Sequence, residues 1–197
     1  MNDDGPTFKL VNGGEIHSHL DTTQVNELVF GKEYATVEGP DFGGQNLYRA
    51  WFERNPDIYM FLVSGERVIG YANAMPLEES AFQEVLQGQL DDGTLDPARI
   101  RTYDQPGIYK LYLCAIAVLP EYRSSIGLWW LHTMFKQKVD AWNQRGIFFG
   151  ELAAVAWTDR GRLLCRALGM TFLRPHCRQG DVYHGVLPEG RWPDRLT

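Results

Sequence analysis

A strand that leads through a short turn into a long helix is the feature that most constrains the fold. The run Gly107–Val118 is the most strand-like in the chain, and Pro120 marks its end. Apolar residues then recur every three or four positions from Ile126 to Trp142, as in an amphipathic helix. The start of such a helix carries unpaired N–H groups and the positive end of its dipole. The turn between strand and helix is therefore a predicted anion site.

The side chains of this turn suit the same purpose. Arg123 adds a fixed positive charge, and Ser124 or Ser125 adds a hydroxyl donor or an N-cap. A pyrophosphate group would fit this place. Strand–turn–helix units with Arg and Ser also occur in many α/β domains without any ligand, so the unit alone leaves its role open.

The remaining elements predict a mixed α/β sheet in one domain, residues 1–197. Strands alternate with helices in the second half, and a hairpin with the turn Ser64-Gly65-Glu66 lies in the first half. The expected helices are Gln45–Arg54, Glu78–Leu90, Ile126–Trp142 and Asp159–Leu168. The expected strands are a weak one at Leu28–Val37, then Ile58–Val63, Arg67–Ala74, Gly107–Val118, Ile147–Ala156, Thr171–Pro175 and Val182–Leu187. Residues 1–25 are read as an arm or an irregular first strand.

Composition narrows the possible partners and compartment. The net charge is −6 and no block of Lys or Arg stands out, so no nucleic-acid partner is expected. The longest apolar stretch is too short for the ~20 residues of a membrane helix. The three cysteines match no metal spacing and His17 and His19 have no third ligand nearby, so no metal site is predicted. This cysteine usage and an acidic N-terminus without signal-peptide features predict a cytoplasmic protein.

The central motif resembles that of a known superfamily. The stretch Val118-Leu-Pro-Glu-Tyr-Arg123, with its glycine-bearing turn and long helix, resembles the coenzyme A motif of the GCN5-related N-acetyltransferases (GNAT). The segment Leu164-Cys-Arg-Ala-Leu-Gly-Met170 is similar to that family's Leu-Tyr-x-x-Leu-Gly-Phe close. The resemblance covers about residues 107–175. It implies a mixed, mostly antiparallel sheet with a splayed strand pair, flanked by helices.

The resemblance also implies a donor site for acetyl-CoA. The pantetheine arm would lie along the backbone of the splayed strand, and the turn would hold the pyrophosphate. Thr158 stands where the family often has an asparagine that contacts coenzyme A. The family turn reads Arg-x-x-Gly-x-Gly or -Ala, whereas this chain places Ile126 at the first glycine. The implied donor-site residues are Ile116, Ala117, Val118, Arg123, Ser124, Ser125, Ile126, Gly127, Leu128 and Thr158.

Three side chains are candidates for catalysis. Glu151 is a carboxylate in an apolar strand, which indicates a general base, a charge at a strand end or a charge paired with an arginine. Tyr112 could act through its hydroxyl or through a water. Cys165 stands where the family often has a tyrosine that protonates the leaving thiolate, and it also reads as a buried core residue. Tyr183 could reach the site from the closing hairpin.

The segment 76–106 is an insertion relative to a minimal member of this family. It contains a predicted helix and several acidic residues, including Asp91 and Asp92. We expect it to line or cover the acceptor cleft, or alternatively to serve homodimer contacts. The sequence thus predicts an N-acyltransferase in which a small-molecule or peptide amine attacks an acyl-CoA directly. A non-catalytic acyl-CoA-binding regulatory module and another phosphate-binding α/β domain, such as a flavodoxin-like one, stay open.

Overall fold

The computed structural model of the chain describes residues 8–13, 44–123 and 128–192. Seven strands and four α-helices lie within these ranges. The strands are β1 (Phe8–Asn12), β2 (Tyr59–Ser64), β3 (Arg67–Leu77), β4 (Gly107–Val118), β5 (Ile147–Ala156), β6 (Thr171–Pro175) and β7 (Asp181–Val186). The helices are α1 (Gly44–Arg54), α2 (Glu79–Leu86), α3 (Leu128–Gln144) and α4 (Asp159–Ala167).

The strands form one sheet in the order β1-β2-β3-β4-β5-β7-β6. Strands β4 and β5 are parallel, with α3 as their crossover, and the other neighbours in this order are antiparallel. This architecture confirms the predicted fold class, a mixed and mostly antiparallel sheet flanked by helices.

The two faces of the sheet carry different helices. Lys110 of β4 lies on the face covered by α2, because its Nζ is 2.9 Å from Glu79 and 5.3 Å from the centre of the Phe82 ring. We call this side the α2 face. On the opposite side, Trp142 of α3 packs against Phe149 of β5 with ring centres 5.1 Å apart, and this side is the α3 face.

Most predicted elements begin and end close to where the sequence places them. The bounds of β4, β5 and β6 agree with the predicted strands. The predicted helix Glu78–Leu90 is wrong at its end, since α2 stops at Leu86. Gly88 takes a left-handed backbone with φ +70° there, which reverses the chain and ends the helix.

Strand β3 is longer than predicted, since it runs through Pro76 to Leu77 rather than ending at Ala74. The carbonyl of Pro76 accepts a hydrogen bond from the Arg101 N–H at 2.7 Å, so the insertion itself holds this strand end. The N-terminal arm contributes β1, which pairs with β2 from Phe8 to Asn12.

Some predictions fall outside the described residues. The weak strand Leu28–Val37 and the histidines His17 and His19 are among them. Within the described ranges, no helix combines the length and the apolar character needed to cross a bilayer.

Aromatic packing on the α3 face generates the first prediction. Trp142 is 3% exposed and lies 4.6 Å from the Tyr103 ring and 5.1 Å from the Phe149 ring. We expect Trp142→Ala to lower the free energy of unfolding by about 3–5 kcal/mol, because it leaves a cavity in this cluster. Urea denaturation followed by circular dichroism measures the change.

Ile108→Ala is the control for that measurement. Ile108 is 72% exposed, so its truncation should change the free energy of unfolding by less than about 0.5 kcal/mol. A loss below about 1 kcal/mol for Trp142→Ala would contradict the packing described for α3.

Candidate active site

Strands β4 and β5 separate halfway along their length. Their pairing runs from Gly107↔Ile147 to Leu113↔Ala154 and ends there. Beyond this point β5 continues to pair with β7, and β4 continues to pair with β3 up to Val118↔Gly70. In the described part of the chain, the edge of Cys114–Val118 that faces β5 therefore has no strand partner. Peptide groups along such an edge are available to a ligand.

An extra residue in β4 lies at the point of separation. Ala74 of β3 pairs with Leu113 and Asn73 pairs with Ala115, so Cys114 has no opposite residue. A bulge of this kind bends its strand and increases its twist. It also changes the alternation of side chains, so that Ala115 and Ala117 join Tyr112 on the α2 face while Ile116 and Val118 lie on the α3 face.

Three of the predicted donor-site residues lie on this separated segment. Ile116 and Val118 are half-buried, and Ala117 is buried. After β4 the chain makes a 3-10 turn at Pro120–Tyr122 and reaches Arg123, whose Nε donates a hydrogen bond to the Val118 carbonyl at 2.9 Å. The predicted residues Ser124, Ser125, Ile126 and Gly127 lie outside the described residues, and Leu128 is the first residue of α3.

The two predicted site residues of helix α4 have structural roles. The Thr158 hydroxyl caps the helix by accepting a hydrogen bond from the Gly161 N–H at 3.1 Å. Cys165 is buried, and its burial raises the pKa of the thiol to about 12. A thiol with so high a pKa holds its proton too tightly to donate it to a thiolate of ordinary pKa, near 8.5. This environment does not favour Cys165 as the acid of the reaction.

Glu151 is held in an ion-pair network on the α2 face. Its carboxylate lies 2.8 Å from Lys110 Nζ and 2.9 Å from His184 Nε2. The hydrogen bond from Lys110 is the main cause that lowers the pKa of Glu151 below its ordinary value. A carboxylate neutralised in this way is a poor proton acceptor. Glu151 lies in the middle of β5 and is paired, as one of the alternatives expected, but with a lysine and a histidine rather than an arginine.

Tyr112 contacts a carboxylate that sequence reasoning did not select. Its hydroxyl donates to Asp92 of the insertion, 2.9 Å from one carboxylate oxygen and 3.0 Å from the other. The Cys114 thiol lies 3.7 Å from the same carboxylate. Burial raises the pKa of Asp92 to about 6, although both hydrogen bonds favour the ionised form. Burial likewise raises the pKa of Cys114 well above its usual range.

Asp92 lines a small pocket on the α2 face, at the place where β4 and β5 separate. Tyr112 borders it one residue before the last β4–β5 pair, and Val155 borders it one residue after. The remaining walls come from the insertion, from Trp157 directly after β5 and from the β6–β7 loop. The lining residues are Leu90, Asp91, Asp92, Tyr112, Val155, Trp157, His176 and Arg178.

The insertion and the β6–β7 loop are tied together beside this pocket. Arg178 Nη2 lies 2.6 Å from the Asp91 carboxylate. His176 Nε2 lies 2.9 Å from the Leu90 carbonyl, and its Nδ1 accepts a hydrogen bond from the Arg178 N–H at 3.4 Å. Two segments more than 80 residues apart in sequence thus form one wall.

Comparisons with known proteins were made by sequence and by structure. No family model matches the chain, and no curated protein matches it by sequence. Solved structures do match it. The loading GNATL domain of CurA from Lyngbya majuscula superposes with a TM-score of 0.58 at 13% identity, over 91% of this chain and 98% of that one.

Two further solved structures have the same architecture. The mosquito arylalkylamine N-acetyltransferase like 5b has a TM-score of 0.56 at 11% identity, over 92% of this chain and 100% of that one. A chain of the NatC complex bound to Gag peptide and CoA has a TM-score of 0.53 at 13% identity, over 92% and 97% of the two chains. Identities this low establish the fold alone. The chain has the fold of the GCN5-related N-acetyltransferase superfamily, as the resemblance in its sequence predicts.

Proposed function

We propose that the protein is an acyl-CoA-dependent N-acyltransferase. It would transfer an acetyl or other short acyl group to the amine of a small molecule or peptide. The observation that carries this proposal is the separation of β4 from β5, which leaves the edge of Cys114–Val118 without a strand partner in the described ranges, at the end of β4 that leads to α3. An open strand edge beside the start of a long helix suits an extended amide-bearing arm that ends in a diphosphate.

The end of β4 and the start of α3 would bind the donor. Peptide groups of Ile116, Ala117 and Val118 would pair with the two amides of the pantetheine arm, as a neighbouring strand would. Arg123 is already anchored to the Val118 carbonyl, which fixes its guanidinium near the end of β4. The backbone of residues 124–128 would hold the diphosphate. Neighbouring folds include a complex bound to CoA and an arylalkylamine acetyltransferase, which supports a CoA thioester as donor and an amine as acceptor.

Direct attack by the amine needs no nucleophile from the protein. The protein would position the amine against the thioester carbonyl, and such positioning is a major source of rate enhancement. The buried, high-pKa thiol of Cys165 favours a second candidate function, an acyl-CoA-binding regulatory module without catalysis. The two candidates share the donor site and differ in whether thiol is released.

Donor binding is the first prediction of this proposal. We expect acetyl-CoA to bind with a dissociation constant between about 1 μM and 1 mM, the usual range of KM values. Isothermal titration calorimetry measures it. The acetyl thioester of N-acetylcysteamine, which lacks the diphosphate and the nucleotide, should bind far more weakly. Absence of heat at millimolar acetyl-CoA would overturn the proposal.

Catalysis is tested separately by thiol release. Acetyl-CoA, protein and a panel of amines are mixed, and free thiol is followed with a chromogenic disulfide. Release that depends on both amine and protein supports the acyltransferase. Tight binding without release for any amine would leave the regulatory module as the function.

The role of Arg123 gives a further prediction. Arg123→Ala should weaken acetyl-CoA binding about tenfold or more, because a charge-assisted hydrogen bond contributes roughly 1.5–3 kcal/mol. Arg49→Ala is the control, since it removes the same charge from the exposed surface of α1. Calorimetry of both variants, with melting curves to confirm folding, makes the comparison. Equal affinity of Arg123→Ala and the unchanged protein would contradict the assignment.

A further inference from the structure

We propose that Asp92, contributed by the insertion, is the carboxylate that binds the acceptor ammonium group and removes its proton. This inference rests on the proposed acyltransferase function and names the acceptor side of the same site. It places the base on a segment that the sequence marked only as acidic, and not on Glu151.

The position of Asp92 is the first support. Donor residues Ile116 and Val118 lie on the α3 face, and Arg123 leads into α3 itself. An amine that attacks the thioester carbonyl must approach from the side that the donor does not occupy, which is the α2 face. The Asp92 carboxylate lies on that face, held by the Tyr112 hydroxyl, at the point where β4 and β5 separate.

Charge is the second support. Asp91 is paired with Arg178 at 2.6 Å, and Glu151 is paired with Lys110 and His184. Among the described residues, the Asp92 carboxylate accepts hydrogen bonds only from the neutral groups of Tyr112 and Cys114, and it has no direct ion-pair partner; His176 favours its ionised form through space. A bound cation would stabilise the ionised form of such a half-buried carboxylate.

A buried hydrogen-bond acceptor without a donor among the described residues lies on the α2 face as well. Asn73 is 2% exposed, and its side-chain oxygen has no hydrogen-bond partner in the part of the chain that the structure describes. It pairs with Ala115, in the separated part of β4, and lies two residues along β3 from Met75, the partner of Tyr112. That spacing is about 7 Å. A buried amide oxygen without a donor calls for a ligand that donates, and an ammonium group carries three N–H donors.

The other walls of the pocket narrow the acceptor class. Leu90, Val155 and Trp157 present apolar surface, and Arg178 is paired with Asp91. The pocket has a volume of about 10 Å³, which admits a single small group such as an ammonium group. A second ammonium group on the acceptor would find no other unpaired carboxylate among the lining residues. The geometry therefore points to a primary monoamine and disfavours a polyamine.

Acyl transfer to the bound amine involves two proton transfers. Asp92 accepts a proton from the bound ammonium group, and the freed lone pair of nitrogen attacks the thioester carbonyl carbon. The C–S bond breaks, its electron pair stays on the coenzyme A sulfur, and the second N–H proton passes to that sulfur. Asp92 then releases its proton to water. The products are the amide, free coenzyme A thiol and one proton.

Asp92→Asn tests the assignment, with Asp96→Asn as the matched control. Asp96 lies on the same insertion, is exposed, and caps a 3-10 turn with a side-chain oxygen that asparagine retains. We expect Asp92→Asn to lower kcat/KM for phenethylamine acetylation at least 10²-fold, the usual contribution of a general base. Its acetyl-CoA affinity should stay within twofold of the unchanged protein, as should both values for Asp96→Asn.

Each outcome separates this inference from the proposed function. If Asp92→Asn retains kcat/KM within threefold while acetyl-CoA still binds, the inference is wrong and the proposed function stands. If the unchanged protein binds acetyl-CoA and acetylates spermidine faster than phenethylamine, the monoamine assignment is wrong. If it binds acetyl-CoA and acetylates no amine, the inference also falls. If it binds no acetyl-CoA, both fail together.

The pH dependence of stability gives an independent readout. The pKa of Asp92 is raised to about 6, above its ordinary 3.8, so the folded state binds this proton more tightly than the unfolded state. Stability relative to Asp92→Asn should therefore fall as pH rises from about 4 to about 6, and stay lower above it. The ionisable groups that face Asp92 are common to both proteins, namely Asp91, Tyr112, Cys114, His176 and Arg178.

Melting temperatures of the two proteins between pH 4 and pH 8 make this comparison. We expect the difference in melting temperature to grow in favour of Asp92→Asn up to about pH 6. The rate of acetylation by the unchanged protein should rise over the same interval, as Asp92 loses its proton. If the difference in melting temperature does not change with pH, ionisation of Asp92 does not destabilise the folded state. That result would contradict the burial of this carboxylate in the pocket.

Discussion

The bulge at Cys114 is the constraint on which the rest of the site depends. It lets β4 stay fully paired with β3 while its other edge leaves β5 after Leu113↔Ala154. A sheet with unbroken β4–β5 pairing would have no free edge for a ligand. The same extra residue determines which side chains of β4 lie on each face of the sheet, because it brings Ala115 and Ala117 to the α2 face with Tyr112.

Separation of the strands gives the two faces different tasks. The α3 face receives the end of β4, the anchored Arg123 and the start of the long helix, all suited to an anionic donor. The α2 face is covered by α2 and by the insertion, which places one carboxylate against Tyr112. In the proposed function, donor and acceptor would therefore bind on opposite sides of one opening.

The sequence predicted the strands well where they are buried runs bounded by turn residues. Strands β4 and β5 are such runs, and their bounds agree with the structure. The sequence did not predict the end of α2, because the left-handed backbone of Gly88 depends on tertiary contacts. One such contact is the hydrogen bond that the Gly88 carbonyl accepts from the Cys177 N–H. The order of strands and helices predicted a mixed α/β sheet, and the resemblance at residues 107–175 added its mostly antiparallel form with a splayed strand pair.

The site was predicted less completely than the fold, for physical reasons. The resemblance named the segment Ile116–Val118, and local pattern placed it on one strand with Tyr112. Asp92 could not be distinguished from its acidic neighbours, because its contact with Tyr112 spans 20 residues and depends on how the insertion folds back. The sequence left Glu151 as either a base or a paired charge, because Lys110 and His184 reach it from adjacent strands that local pattern does not bring together. The assignment of Ser124, Ser125, Ile126 and Gly127 stays a prediction.

The ion pair between Asp91 and Arg178 has a consequence for how such a protein can diverge. It joins two connecting segments, and neither belongs to the strand and helix that would hold the donor. Loops tolerate substitution and changes in length far better than the elements they connect. Substitutions within residues 87–106 and 176–180 could therefore change the acceptor preference without changing the residues that would bind the donor.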